Sequence, residues 1–309
     1  MKKFLIKFII FLFLVLITLW GISDFFVHNL RRRNDTNNEA FYKLEENTLD
    51  VVLVGSSHCY CGFNPEILRE EYGIDAYDLA SPNQTILADY LYAKEAYRTQ
   101  KYKVLVVDTN GFYTVADDDL NTHINSIYSM RPSPYYFEYM KYIRKKDAYK
   151  IIFPVFLTHD EWKVINKGAF TSLVDDAIVE RRGFMGLTSE AGENAKETLA
   201  VDTTVTEPTD FTFADKIRDF CSENGIKLIF VKSIQAENDG NEWKDSKHNT
   251  IAQYCAQYDI PFIDFNTSYY MEEAGLKIAT DVAEDLRHAN VSGANKETAY
   301  LGQILKEYL

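Results

Sequence analysis

The chain has 309 residues, 46% of them hydrophobic, which is enough to bury a sizeable core and excludes a disordered protein. Its formal net charge of −13 repels polyanions and sets nucleic-acid binding aside. Cys59, Cys61, Cys221 and Cys255 make no C-x-x-C pair, no His cluster at metal-ligand spacing accompanies them, and four are too few for a disulfide scaffold in a chain this long. They read as buried thiols, and no metal or cofactor is expected.

Met1-Lys2-Lys3 leads into an apolar run from Phe4 to Ile22, broken by the charge of Lys7. That run matches the ~20 residues needed to cross a bilayer core. Lys7 is close enough to one end to snorkel, and Trp20, Phe25 and Phe26 suit the far interface. Gly21-Ile22-Ser23 offers small residues for signal-peptide cleavage. The run is long for a signal peptide, though, and lacks Ala-x-Ala, so an uncleaved anchor over residues 1–33 is expected. Lys2, Lys3 and Lys7 before the span are balanced by Arg31, Arg32 and Arg33 after it, so charge does not set the topology.

Residues 34–48 are polar and read as a linker. Strands are expected at 50–54, 76–79, 103–107, 227–231 and 261–265. Between them helices are expected at 64–72, 86–99, 209–223, 246–257 and 293–309. This alternation predicts an α/β domain over 49–309, with a parallel sheet covered by helices on both faces. Residues 113–207 interrupt the rhythm between the third and fourth strands. They read as a largely helical insertion, with Tyr135 to Lys146 as one helical stretch and Phe153 to Trp162 as an amphipathic helix or a lid.

Two segments carry candidate chemistry. Gly55-Ser56-Ser57-His58 leaves the first strand directly, at the carboxyl end where open parallel sheets bind ligands. Its glycine permits a tight turn, and its serines suit either a helix cap or a nucleophile. Asp285-Leu286-Arg287-His288 stands before the last helix, which Asn290 and Ser292 are placed to cap. An Asp and a His three apart on one loop can share the imidazole Nδ1 and leave Nε2 free to take a proton.

Taken together, the two segments resemble the SGNH/GDSL hydrolase superfamily, in the branch with a Gly-Ser-Ser-His block. Gly55-Ser56-Ser57 matches the first block, Asp285-x-x-His288 the last, and Ala294 to Gly302 the C-terminal helix. The resemblance implies a flavodoxin-like three-layer sandwich and acyl-ester chemistry through Ser57, His288 and Asp285. It also implies an oxyanion hole from the Ser57 N–H, a donor after the second strand and an asparagine after the third. Here the family's second-strand glycine gives way to Ser81-Pro82-Asn83, so the Ser81 N–H stands in for it; Pro82 has none to donate. Asp108-Thr109-Asn110 occupies the Gly-x-Asn block, making Asn110 the side-chain donor and placing the charge of Asp108 close by. His58, Asn83 and Asp108 are further candidates to line the site, with a supporting role at the helix start weighed for His58.

An anchor followed by such a domain is similar to teichoic-acid D-alanylation and alginate-type O-acetylation proteins. The expected function is therefore an extracytoplasmic esterase or O-acyltransferase at the cell membrane. Its partners would be an acylated carbohydrate or cell-envelope polymer and a multi-pass membrane O-acyltransferase. The alternative is a catalytically weak scaffold of the same fold. A nucleotide-binding domain is disfavoured because no Gly-rich phosphate loop follows any strand.

Overall fold

Five short apolar runs form the strands β1 (Val51–Val54), β2 (Ala76–Asp78), β3 (Val104–Asp108), β4 (Lys227–Lys232) and β5 (Phe262–Asp264). The computed structural model describes residues 2–113, 120–127, 130–153, 156, 181–196, 211–236 and 244–309. All pairings are parallel, in the order β2-β1-β3-β4-β5. Val51 stands opposite both Ala76 and Val104, and Phe230 opposite Phe262.

A central strand covered on both faces must be apolar throughout, because successive side chains point to opposite sides. Val52, Val54, Leu105, Val107, Leu228 and Phe230 enter one core; Val51, Leu53, Val104, Val106, Ile229 and Val231 enter the other. Helices α4 (Ile86–Thr99), α8 (Thr212–Asn224) and α9 (Lys244–Tyr258) cover the first face. Helices α2 (Ser57–Gly62), α3 (Pro65–Tyr72) and α12 (Val291–Leu305) cover the second. The expected three-layer α/β architecture is therefore present.

Local chemistry sets the helix ends. The Asn64 side chain accepts from the Glu66 N–H at the start of α3, with Pro65 in the first turn, and Gly73 ends that helix at φ +69°. Thr85 caps α4 and Asn290 caps α12 in the same way. All four cysteines are free and buried, as expected of packed thiols.

Helix α1 (Lys2–Phe41) departs from expectation at one end. Its segment Lys2–Ile22 is long and apolar enough to serve as a membrane anchor or a signal sequence. The helix then continues through residues 34–41, which the sequence reads as linker; no Gly or Pro lies between Ile22 and Leu49 to stop it. Ala40 and Phe41 are buried at its end, with the Phe41 ring 5.4 Å from that of Tyr77, so the helix terminates in the core of the domain.

Between β3 and β4 the described part of the insertion contains helices α5 (Leu120–Ile127), α6 (Pro134–Tyr139) and α7 (Lys145–Ile152). The expected stretch 135–146 is thus two helices, broken where the Met140 to Arg144 turn intervenes. Most of the expected segment 153–162 lies outside the described residues. Two short helices, α10 (Ser268–Glu273) and α11 (Ile278–Asp281), were not expected, being too short to show a helical period.

Candidate active site

Ser57 is the first residue of α2, directly beyond β1, and Ser56 is its N-cap, its Oγ accepting from the His58 N–H. The turn needs glycine at position 55 because β3 passes so close. A Cβ there would collide with the Cβ of Asp108 and stand 2.9 Å from that of Cys59.

Asp285 and His288 occupy a loop closed by an antiparallel bridge between Val282 and Ala289. The Ala283 N–H donates to the His288 carbonyl at 2.8 Å, and the Leu286 N–H donates to Ala283 at 2.9 Å. Leu286, between the two functional residues, has φ +61°, a left-handed conformation that costs a non-glycine residue roughly 1–2 kcal/mol. The loop is pinned from below by Asp281, which is fully buried and bonded to Ser292 Oγ at 2.7 Å and to Lys296 Nζ at 2.7 and 2.9 Å. Ser292 therefore holds Asp281 and does not cap α12; that role belongs to Asn290 alone.

The structure joins these distant segments. His288 Nε2 lies 2.7 Å from Ser57 Oγ, and His288 Nδ1 lies 2.6 Å from Asp285 Oδ2. Asp285 Oδ1 accepts the N–H groups of Arg287 and His288 at 2.9 and 3.1 Å. Burial raises the Asp285 carboxyl, but the bonds from His288 and these two N–H groups more than offset it and leave it below the usual carboxylate range. With Asp285 ionised, Nδ1 carries the ring proton and Nε2 is free to accept one from Ser57.

Residues 181–192 strap the two halves together. The Met185 N–H donates to Tyr60 of α2, the Val291 N–H donates to Leu187, and the Ala191 N–H donates to Val282.

Asp108 does not point its carboxylate at Ser57. Its Oδ2 accepts Ser56 Oγ–H at 2.7 Å and Ser56 N–H at 3.2 Å, and its Oδ1 accepts the Asn110 N–H at 3.2 Å. Burial pushes this carboxyl up, against the three donors. Asp108 is thus a clamp joining the serine turn to the β3 exit. Asp108→Asn replaces a buried acceptor by a donor facing a donor, and is expected to lower stability by about 1–3 kcal/mol, as read by thermal denaturation.

Two expected roles need correction. The Ser81 N–H donates to the Gly55 carbonyl at 3.2 Å, so it is committed to holding the β1 exit and is not free for an oxyanion. Asn83 is exposed at φ +54°, in a turn closed by the Gln84 N–H on the Ser81 carbonyl. Pro82 and Asn83 are the residue types such a turn requires, so Asn83 answers to backbone geometry, not to the site. Asn110 lies on a 3-10 turn (Thr109–Tyr113) leaving β3, where its N–H is bonded to Asp108.

His58 packs its ring 4.6 Å from that of His288 and places Nδ1 3.3 Å from Ser56 Oγ. Burial, then the charges of His288 and Lys232, lower its pKa from 6.5 to about 3, so it stays neutral. Between those values the unfolded chain binds a proton that the folded chain does not, so stability falls as pH drops through that window. His58→Gln is therefore expected to narrow the gap between melting temperatures at about pH 7.5 and about pH 4.5, as read by thermal denaturation.

Three residues beside this site were not anticipated. His248 Nδ1 lies 2.6 Å from Asp264 Oδ2, and Lys232 Nζ lies 4.0 Å from the same oxygen. Burial raises the Asp264 carboxyl, but Lys232 and His248 outweigh it and bring it down to about 2. A signal existed for two of them, though not for their pairing with His248: Lys232 and Asp264 close β4 and β5, at the same end of the sheet as Ser57.

No family model and no curated protein matches the chain. Among solved structures, a candidate acylhydrolase from Bacteroides fragilis NCTC 9343 is 10% identical, with a TM-score of 0.43 over 87% of this chain and 93% of that one. A likeness of this degree says nothing about chemistry, which is read from this chain's own residues.

Proposed function

We propose that the chain is a serine-dependent ester hydrolase or O-acyltransferase of the SGNH type. The observation that carries this reading is the relay from Ser57 through His288 to Asp285, with contacts of 2.7 and 2.6 Å. In the reaction, Ser57 Oγ attacks the ester carbonyl while its proton passes to His288 Nε2, and Asp285 stabilises the imidazolium. The oxyanion is held by the Ser57 N–H and the Asn110 side chain, each worth about 3–4 kcal/mol. Nε2 then protonates the departing alkoxide, leaving Ser57 acylated. Water or a sugar hydroxyl gives its proton to Nε2, attacks the acyl carbon and frees Ser57.

The apolar N-terminal helix supports a membrane-anchored enzyme. Placement outside the cytoplasm, an envelope polysaccharide as substrate and a multi-pass membrane O-acyltransferase as partner follow the resemblance of the anchor-plus-domain arrangement. One observation favours the scaffold reading: with the Ser81 N–H engaged by Gly55, the oxyanion hole has one donor fewer than expected.

The test is turnover of p-nitrophenyl acetate by the full chain in detergent, with and without an added oligosaccharide acceptor. The enzyme reading predicts release of p-nitrophenol, with acyl sugar as product if the chain is a transferase. A folded chain that releases none under either condition would favour the scaffold.

A further inference from the structure

The last residue of β4, Lys232, is 7% exposed, and among the described residues its ammonium makes no hydrogen bond. The nearest carboxylate oxygen among the described residues, Asp264 Oδ2, is 4.0 Å away and already bonded to His248. The other oxygen of Asp264 takes the N–H and the side-chain amide of Asn266 at 2.9 and 2.8 Å. Among the described residues Lys232 is thus a buried cation with a carboxylate at ion-pair distance but no hydrogen-bonded acceptor, and such a group is costly unless an acceptor reaches it.

It borders a small pocket lined also by Thr109, Asn110, Tyr113, His248 and Phe262. Two contacts place the pocket beside the candidate active site. Asn110 lines it and is tied through Asp108 to Ser56. Asp108 also stands opposite Val231, the residue before Lys232, where β3 pairs with β4. The His248 ring is fixed by Asp264 at Nδ1 and stacked 5.4 Å from Phe262, which leaves Nε2 as its remaining polar atom.

We infer that this pocket is an anion subsite, in which Lys232 receives a carboxylate or phosphate borne by the ester substrate of Ser57. The subsite deepens the esterase reading by assigning it negatively charged substrates. A net charge of −13 would repel such substrates in general, so a single buried lysine at the site gives the selectivity a location.

The test separates binding from turnover. Isothermal titration of the full-length Ser57→Ala chain in detergent compares monomethyl succinate, which carries one carboxylate, with the neutral dimethyl ester. The anion is expected to bind at least about tenfold more tightly at low salt, a difference of about 1.4 kcal/mol. Inorganic phosphate should compete, Lys232→Met should abolish the preference, and Lys232→Arg should retain it. Equal affinity for the two probes, or a preference that survives Lys232→Met in a folded chain, overturns the inference. If Lys232→Met fails to fold, the comparison of the two probes on the lysine-containing chain decides alone. If the anion preference is found while the wild type turns over neither p-nitrophenyl hemisuccinate nor p-nitrophenyl acetate, the subsite stands and the esterase reading falls.

Discussion

Ser57→Ala is expected to abolish ester turnover, with kcat falling by about 10⁶-fold, because the chain would lose the atom that becomes acylated. Ser57 Oγ is the group that His288 Nε2 faces at 2.7 Å, and removing it leaves the imidazole with nothing to activate but water. The fold should tolerate the change. Ser56, not Ser57, caps α2 and bonds Asp108, so the helix start and the clamp across to β3 remain. An unchanged melting temperature beside lost turnover would separate chemistry from stability. His288→Ala should cost a similar amount, and the double variant little more, since the two residues act as a unit.

Asp285→Asn is the second large effect, expected at about 10³–10⁴-fold in kcat. The carboxylate now fixes the ring proton on Nδ1. An amide that donates to Nδ1 instead would place the proton on Nε2, where it blocks acceptance from Ser57. Asp285 is 41% exposed, so water can partly replace it, which keeps the expected loss toward the lower end. The loss should appear in kcat more than in KM, in steady-state kinetics with a p-nitrophenyl ester, because the carboxylate acts on the imidazolium that forms in the transition state.

The strands and most helices were legible because their signals are local: mainly apolar runs four or five residues long, a capping Asn before Pro65, a glycine after Asn224. The meeting of Ser57, His288 and Asp285 was legible because two short blocks resemble one family, although 231 positions separate the serine from the histidine. What escaped was mostly direction. Apolar patterning ends the third and fourth strands at Val107 and Val231, yet β3 and β4 each run one residue further, to Asp108 and Lys232. Those charged ends are buried and sit at the edge where the chemistry gathers. A sequence states that Asp108 is anionic but not that it turns toward Ser56 and away from an oxyanion. Nor does it reveal that the Ser81 N–H already has a carbonyl, since backbone partners depend on which loops meet. The His248–Asp264 pair was invisible for the same reason, its members lying on separate elements with no local period to link them. The continuation of α1 past residue 33 could have been read from the absence of Gly and Pro, but the polar composition of that stretch suggested a linker.

If His288 activates Ser57 as a nucleophile, a fluorophosphonate should label the full chain at a single residue. Peptide mass spectrometry is expected to find one adduct, on Ser57, formed far more slowly in His288→Ala. A folded chain that stays unlabelled, or is labelled at another residue, would contradict this activation.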